Sequence, residues 1–420
     1  MIIGTGATLD AGLRTDNSVL LNEGTISALT QSHSGSSYFD ENAIYKATAI
    51  TLAQGANLPD DANFINRSDV LSTAPHTKTA ADEDDAANEA IAFDFAAYTG
   101  NMNVRQEMRQ NDLLLDASAP NANTNPYLGG GDLDIDRNGD GAIDTRDVPA
   151  PRITGDVKFG AGDNDFTINA GTVNGNISFG GGSDTLTLAN DIADDTEDDY
   201  TAPITGFTGS IANGSGTDLD ITIGARTQLH LVGQEAEAEV LAIDELTVSG
   251  ELKINVDGEQ LTADTSVLDV TTLTVNNGAK IIPNLTGLIT AEATTIKLID
   301  YTDEGVTLPS DVLPTGADSE SAFIYNVTLS HDEDSNAISA TVARKTAVDL
   351  GLNQTEAASF DAVLTHFRDN ENLESAITGI NGVDAFKAAY RQLLPHYSDG
   401  TAQQLSGLAD MATGAVSQHL

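Results

Sequence analysis

The sequence lacks cysteine and tryptophan altogether and contains only 12 phenylalanines and 9 tyrosines in 420 residues. Without cysteine the chain forms no disulfide. This absence suits a chain that crosses a periplasm unfolded, because no disulfide can trap it on the way. So few aromatic residues argue against a compact globule with a dense aromatic core.

Positive charge is also scarce: 19 lysines and arginines stand against 64 aspartates and glutamates, which gives a net charge of −45. Nucleic-acid binding is excluded, because contact with phosphates needs clustered cations and these are scattered. The acidic surface instead favours solubility and attracts divalent cations. No apolar run approaches the roughly 18 residues that span a bilayer as a helix. No signal peptide opens the chain, so we expect the export signal of a secreted protein to lie outside this sequence.

Short alternating segments joined by glycine turns dominate the first part of the chain. "GDVKFGAGDNDFTI" (155–168) returns as "GNISFGGGSDTLTL" (175–188), with Phe159 and Phe179 offset by 20. Alternation with period two means that one face of each strand is buried. A repeat of this length with two or three strands per turn is typical of a β-solenoid. We therefore predict an all-β fold, a right-handed parallel β-helix, with a short C-terminal α-helical segment.

Looser repeats extend this prediction in both directions. Asn22 and Asn66 occupy similar contexts 44 residues apart, which we interpret as two turns of 22. The segment "EAIAFDFAAYTGNMNVRQ" (89–106) alternates like a strand, and strand–turn–strand units continue to about residue 345. We therefore assign residues 1–346 to the β-helix, with an insertion at about 120–152.

The hydrophobic period changes to that of a helix after residue 346. Asn353 can cap a helix, with Glu356 as its return partner. "VDAFKAAYRQLLP" (383–395) places Phe386 and Tyr390 on one helical face. Residues 347–420 are therefore predicted to form a helical segment.

The insertion contains the stretch "DRNGDGAIDTRD" (136–147), which has the spacing of a 12-residue calcium loop. Glycine at position 6 permits the turn, and Ile143 at position 8 anchors the loop. Ca²⁺ takes six to eight oxygen ligands, and this alternation points successive oxygens at one centre. The predicted ligands, with the backbone carbonyl at the alanine, are Asp136, Asn138, Asp140, Ala142, Asp144 and Asp147.

The glycine turns at 160–165 and 180–185 approach a second calcium motif, the nonapeptide of calcium-binding β-structures. The second copy fits from Gly180 to Thr187, whereas the first carries an extra residue, Asp163. Two copies cannot build a long array of half-sites. We interpret the turns as plain corners in which glycine supplies a positive φ, with calcium as the alternative.

The tandem "FGAGDNDFTI…FGGGSDTLTL" and the tail "AYRQLLPHYSDGTAQQL" together resemble the passenger domain of a Gram-negative autotransporter (type V secretion). The resemblance implies cell-surface display or release, with outer-membrane association through a C-terminal β-barrel that this sequence does not include. We expect the sequence to be a fragment cut between passenger and barrel. The family also implies a non-catalytic adhesin or aggregation factor. Its partner would be a host or neighbouring-cell surface, a glycan, or a second copy of the chain through self-association.

Two other functions remain open. A calcium-dependent polysaccharide lyase would need a basic residue beside the acidic loop, and Arg137, Arg146 and Arg152 are the candidates. A structural surface-layer protein would need only ordered self-assembly.

The seven histidines show no paired metal spacing, and "HSGSS" (33–37) lacks the turn of a serine nucleophile. No catalytic residue or organic cofactor is predicted.

The calcium loop generates the first testable prediction. Calcium should raise the melting temperature of the protein, because a bound ion stabilises only the folded state. Asp136→Ala and Asp140→Ala should each weaken calcium binding in a titration and reduce this rise. If both variants keep the affinity and the melting temperature of the parent chain, the loop does not bind calcium.

Overall fold

The computed structural model describes residues 2–3, 7–9, 13–15, 19–22, 24–29, 46–52, 61–74, 89–108, 150–190, 204–214, 218–233, 240–257, 266–286, 293–303, 306, 308–309, 312, 323–332, 336–354, 356–360, 377, 380 and 382–393. These residues are mainly β-structure. The strands are β1 (Ile2–Ile3), β2 (Ala7–Leu9), β3 (Leu13–Thr15), β4 (Val19–Asn22), β5 (Ile26–Leu29), β6 (Lys46–Thr51), β7 (Asp61–Asn66), β8 (Val70–Thr73), β9 (Glu89–Asp94), β10 (Asn101–Gln106), β11 (Arg152–Thr154), β12 (Asp156–Lys158), β13 (Asp165–Ile168), β14 (Thr172–Asn174), β15 (Ile177–Phe179), β16 (Ser183–Leu188), β17 (Thr205–Gly209), β18 (Ile211–Asn213), β19 (Asp218–Ile223), β20 (Thr227–Leu231), β21 (Leu241–Val248), β22 (Glu251–Asp257), β23 (Ser266–Val275), β24 (Lys280–Thr286), β25 (Ala293–Tyr301), β26 (Tyr325–Asp332) and β27 (Ala337–Arg344). The helix α1 spans Val383–Leu393, and residues 354 and 356–360 are also helical.

The strands form three sheets, which we call the long, the middle and the short sheet. The long sheet has 12 strands in the order β26-β27-β25-β23-β21-β19-β16-β13-β10-β7-β4-β3, and the middle sheet has nine in the order β2-β5-β8-β11-β14-β17-β20-β22-β24. The short sheet has six in the order β1-β6-β9-β12-β15-β18. From β4 to β18 the chain visits the three sheets in rotation, and we call each set of three successive strands a rung. The all-β character with long parallel sheets is therefore confirmed.

Neighbouring rungs pair in parallel and in register, apart from one register shift between β9 and β12, but their lengths differ. The pair Asn164 and Asp184 is separated by 20 residues, whereas Met102 and Asn164 are separated by 62. Asn22 pairs directly with Asn66, so the offset of 44 is one rung and not the two turns of 22 that we inferred. Alternation identifies strands, but it does not say how many strands make one rung.

The inner face of the long sheet is a set of stacked apolar columns. One column consists of Phe64, Val104, Phe166, Leu186, Ile221, Leu246 and Leu273. Each of these side chains is at most 5% exposed. Because each is covered by its counterpart in the next rung, burial of the column depends on the register of every pair.

The neighbouring inner column begins with amides instead of apolar side chains. Asn22, Asn66 and Gln106 are all 0% exposed. Asn22 Nδ2 donates to Asn66 Oδ1 at 2.8 Å, and Asn66 Nδ2 donates to Gln106 Oε1 at 3.3 Å. Gln106 Nε2 then donates to the carbonyl of Ala170 at 2.8 Å, which ends this amide ladder. Buried amides are tolerated here because each finds a partner in the next rung.

Antiparallel pairing occurs at one edge of each sheet and near the other end of the long sheet. β1, β2 and β3 pair antiparallel with β6, β5 and β4, so each sheet has a reversed strand at one edge. At the other end of the long sheet, Thr295 contacts Thr341 while Tyr301 N–H donates to Asn336 O. Partners in β27 thus descend as residues in β25 ascend, so this pair is also antiparallel.

The chain divides into two compact units. The first comprises Met1–Leu285, Thr294–Glu320 and Val327–Val342, and the second comprises Thr286–Ala293, Ser321–Asn326 and Ala343–Leu420. In the second unit the predicted capping box is confirmed: Asn353 N–H donates to Glu356 Oε2 at 2.8 Å and Glu356 N–H donates to Asn353 Oδ1 at 2.9 Å. The predicted buried face of α1 is also confirmed, because Phe386 and Tyr390 are 0% and 1% exposed.

The amide ladder generates the second prediction. Asn66→Ala should lower the free energy of unfolding by about 1–3 kcal/mol, because it leaves the Asn22 donor and the Gln106 acceptor buried without their partner. Asn63→Ala changes the same residue type on the outer face of the same strand and should cost less than about 0.5 kcal/mol. Urea unfolding of both variants measures the difference, and equal effects would contradict the ladder's role.

Candidate functional site

The predicted calcium loop lies outside the described residues, so Asp136, Asn138, Asp140, Ala142, Asp144 and Asp147 remain predictions. In sequence the loop falls between β10 and β11. Within the part of the chain that the structure describes, no group of three or more histidine, aspartate or glutamate side chains is placed to hold a metal ion.

The two glycine turns are equivalent corners of successive rungs. Asp165–Ile168 pairs with Thr185–Leu188 without a shift, and Ser183 N–H donates to Asp163 Oδ1 at 2.9 Å. Asp163 therefore corresponds to Ser183, and the first copy has no extra residue. Our inference of an extra residue at Asp163 was wrong, since the constant offset of 20 aligns every position of the two copies.

Glycine serves two different purposes in these corners. Gly182 has a φ of 106°, as predicted for a corner glycine. Gly180 does not adopt the left-handed region; it is needed because a Cβ there would lie 2.3 Å from the carbonyl oxygen of Gly160 in the preceding rung. Close stacking of backbones, more than backbone conformation, requires glycine at this position.

A buried polar pair lies inside the same corners. Asn164 and Asp184 are 2% and 1% exposed. The backbone N–H and the Nδ2 of Asn164 donate to Asp184 Oδ1 at 2.9 and 2.8 Å. Burial raises the pKa of Asp184 and the nearby charge of Asp163 raises it further, against the lowering effect of the bonds from Asn164.

The outer face of the long sheet carries three regular polar columns. The edge column consists of Asp61, Asn101, Asp163, Ser183 and Asp218. The acidic column consists of Asn63, Asn103, Asp165, Thr185, Asp220, Glu245 and Thr272. The threonine column follows Arg105 and consists of Thr167, Thr187, Thr222, Thr247 and Thr274.

The spacing of these columns is set by the backbone. Successive rungs lie about 4.8 Å apart, and alternate residues along a strand are about 6.6 Å apart. The columns therefore present hydroxyl, carboxylate and amide groups on a regular grid. Threonine is favoured there as a β-branched strand former, so an ordinary solvated sheet face would also contain it.

Hydrogen bonds along the edge column fix its side chains. Asn101 Nδ2 donates to Asp61 Oδ1 at 2.9 Å, and Asp163 N–H donates to Asn101 Oδ1 at 2.9 Å. Ser183 Oγ donates to Asp218 Oδ2 at 3.3 Å. This rigidity lowers the entropy that a ligand would remove on binding.

The grid is strongly negative. The five strands β13, β16, β19, β21 and β23 contain no lysine or arginine. Burial raises the pKa of Asp220, and the negative charges of Asp244 and Asp218 raise it further, although the N–H of Glu245 donates to this carboxylate. Such a face attracts cations and repels anionic surfaces.

The outer face of the middle sheet differs from that of the long sheet because it includes basic side chains as well as Glu251. His230 pairs in register with Lys253. Burial lowers the pKa of His230, against the hydrogen bond at 2.8 Å between its Nε2 and Asn255 Oδ1. Burial also lowers the pKa of Lys253, which Glu251 partly offsets.

Of the three arginines proposed to support a lyase, the structure describes Arg152, which is held in an ion pair. Arg152 donates to both oxygens of Asp69, at 3.2 and 2.8 Å, and this contact raises the pKa of Arg152. A raised pKa is the reverse of what a general base needs. Arg67 and Arg105 both contact Glu107, at 2.7 and 3.7 Å. Arg137 and Arg146 lie outside the described residues.

Comparison of the chain with protein families, with curated proteins and with solved structures finds no match. Among the described residues, no helix is long and apolar enough to cross a membrane.

Sequence reasoning missed the outer columns and the Asn164–Asp184 pair. The threonine column had a visible signal, because "DFTI", "TLTL", "DITI", "LTV" and "LTV" all place threonine in the same phase. The edge column had none, since it depends on which rung lies beside which.

The glycine corners generate the third prediction. Gly180→Ala should lower the free energy of unfolding by about 1–3 kcal/mol, because the new Cβ forces successive rungs apart. Gly206→Ala is the control: its Cβ would meet nothing closer than Gln228 O at 3.5 Å, so its effect should stay within about 0.5 kcal/mol. Thermal and urea unfolding report both, and a neutral Gly180→Ala would contradict close stacking.

Proposed function

We propose that this chain is a non-catalytic autotransporter passenger, a right-handed parallel β-helix that is displayed on or released from the outer membrane and acts as an adhesin or aggregation factor. A structural calcium ion in the loop at 136–147 belongs to this proposal. The observation that carries this proposal is the set of three parallel sheets, of which the long sheet presents in-register polar columns on its outer face.

The β-helix is supported by the rotation of successive strands through the three sheets from β4 to β18. A chain that returns to the same sheet after each rung, always in parallel, must wind in one sense. Crossovers between parallel strands of one sheet are almost always right-handed. From β19 to β25 the strands alternate between the long and middle sheets, and β25, β26 and β27 all belong to the long sheet.

Adhesion is supported by the geometry of the outer columns. A rigid grid repeated at about 4.8 Å allows many weak contacts to form together, and such contacts multiply in effect when their spacing is fixed. A polymer with its own repeat, such as a glycan on a host or neighbouring cell, could engage several rungs at once. The negative charge of the acidic column favours a neutral or cationic ligand, or one bridged by Ca²⁺.

The tail supports the family resemblance in a limited way. The helical character of residues 354 and 356–360 and of α1 agrees with the helical segment that precedes the translocator barrel in such proteins. Arg391 Nε donates to Glu356 Oε1 at 2.7 Å, and Tyr390 Oη donates to Glu356 O at 3.0 Å, so α1 is fixed against the capped helix start.

The fourth prediction tests adhesion through the threonine column. Beads coated with the full chain should aggregate or bind cells and surface glycans. Thr222→Lys should weaken this binding by at least about tenfold, which corresponds to about 1.4 kcal/mol, because it places a long cation in the grid. Thr208→Lys makes the same change on the outer face of the middle sheet and should leave binding unchanged.

Two outcomes would count against this proposal. If the parent chain binds no cell, glycan or second copy, it is not an adhesin. If Thr208→Lys and Thr222→Lys weaken binding equally while circular dichroism shows both folded, the long sheet is not the adhesive face.

A further inference from the structure

The corner at the start of β16 holds a buried carboxyl group that is only half satisfied. Asp184 is 1% exposed, and its Oδ1 accepts the two hydrogen bonds from Asn164. Its Oδ2 is buried and, among the residues that the structure describes, has no hydrogen-bond partner. A buried carboxylate oxygen without a donor is costly, so its protonation state needs an explanation.

Asn164 occupies the equivalent place one rung earlier and shows what the corner requires. Its Oδ1 accepts the N–H of Met102 at 3.3 Å, just as Asp184 Oδ1 accepts the N–H of Asn164 at 2.9 Å. Its other side-chain atom, Nδ2, donates to the carbonyl oxygens of Gly160 and Gly162 at 3.2 and 2.6 Å. The corner thus requires a side chain that accepts a hydrogen bond from the preceding rung and donates one to the carbonyl groups of its own turn.

The constant offset of 20 residues carries this arrangement forward. Gly180 and Gly182 correspond to Gly160 and Gly162, and a carbonyl oxygen cannot accept a hydrogen bond from a bare carboxylate. We propose that Asp184 carries a proton on Oδ2 in the folded protein and donates it to the turn carbonyls of Gly180 and Gly182, as Asn164 does with its amide. The hydrogen bonds at this corner then stabilise the contact between two rungs in a pH-dependent way. This inference is independent of the proposed adhesive function.

The charges around Asp184 favour its neutral form. The two paired strands, with the turn before β13, supply only further acids, and β17 supplies no titratable group. On β20, His230 belongs to the outer face of the middle sheet, where it bonds Asn255. The acids that flank the corner are Asp163, Asp165, Asp218 and Asp220.

The direction of the pH effect follows from the raised pKa. In the unfolded chain the carboxyl loses its proton near the ordinary value of 3.8, whereas in the folded protein it keeps the proton to higher pH. As pH rises, the unfolded chain releases this proton before the folded protein does, so the free energy of unfolding falls over that interval. The contribution of Asp184 to stability is largest below that value, falls as pH rises towards the folded pKa and stays low above it.

The fifth prediction follows from replacing the acid with a permanent amide donor. Melting temperatures of the parent chain and Asp184→Asn should be nearly equal at about pH 4, and the variant should melt about 2 °C or more higher at about pH 8. Asp303→Asn removes the same charge at an exposed position after β25, away from this corner. Its difference from the parent should change little over this range.

Infrared spectroscopy provides a readout that does not depend on stability. The difference spectrum between the parent chain and Asp184→Asn at about pH 5, above the ordinary pKa of exposed carboxyl groups, should contain the carbonyl band of a protonated acid. Absence of this band would overturn the proposal. So would a lower melting temperature of Asp184→Asn at every pH, or a calcium-dependent rise in melting temperature that this variant abolishes, since a cation would then occupy Oδ2.

Discussion

Every inner side chain of the parallel sheets is covered by its counterpart in the next rung, so register is the constraint on which the structure depends. The apolar column from Phe64 to Leu273 stays dry only while each pair remains aligned. The amide ladder is satisfied only by partners one rung away. Gly180 cannot carry a Cβ because the preceding backbone is too close. The number of residues per rung, by contrast, varies. Offsets of 20 and 62 residues both occur, because additional residues can be inserted between the strands.

Local features were predictable from sequence, and those that depend on neighbouring rungs were not. The capping box of Asn353 and Glu356 was predictable because both partners lie within one helical turn. The 20-residue repeat was predictable because its two copies are adjacent in the chain. The offset between Asn22 and Asn66 was misread because nothing within either segment states the number of strands per rung. The buried acid at Asp184 was missed for the same reason, since its partner Asn164 lies one rung away.

Charge is distributed unevenly between the outer faces of the two larger sheets. Strands β13 to β23 of the long sheet present aspartate, glutamate and threonine, whereas the middle sheet places His230 beside Lys253. A charged partner would therefore approach one face in preference to the other, and salt would weaken that preference. A calcium ion bound by the loop at 136–147, which remains a prediction, would offset part of the negative charge of the chain.

The reversed strands at the edges have a consequence for evolution. A second copy that approached the β3 end of the long sheet would meet a strand that runs against the rest, so it could not continue the parallel array there. The array is lengthened when a rung is duplicated within the sequence. The adjacent twin segments beginning at Gly155 and Gly175 are what internal duplication of a single rung would leave behind.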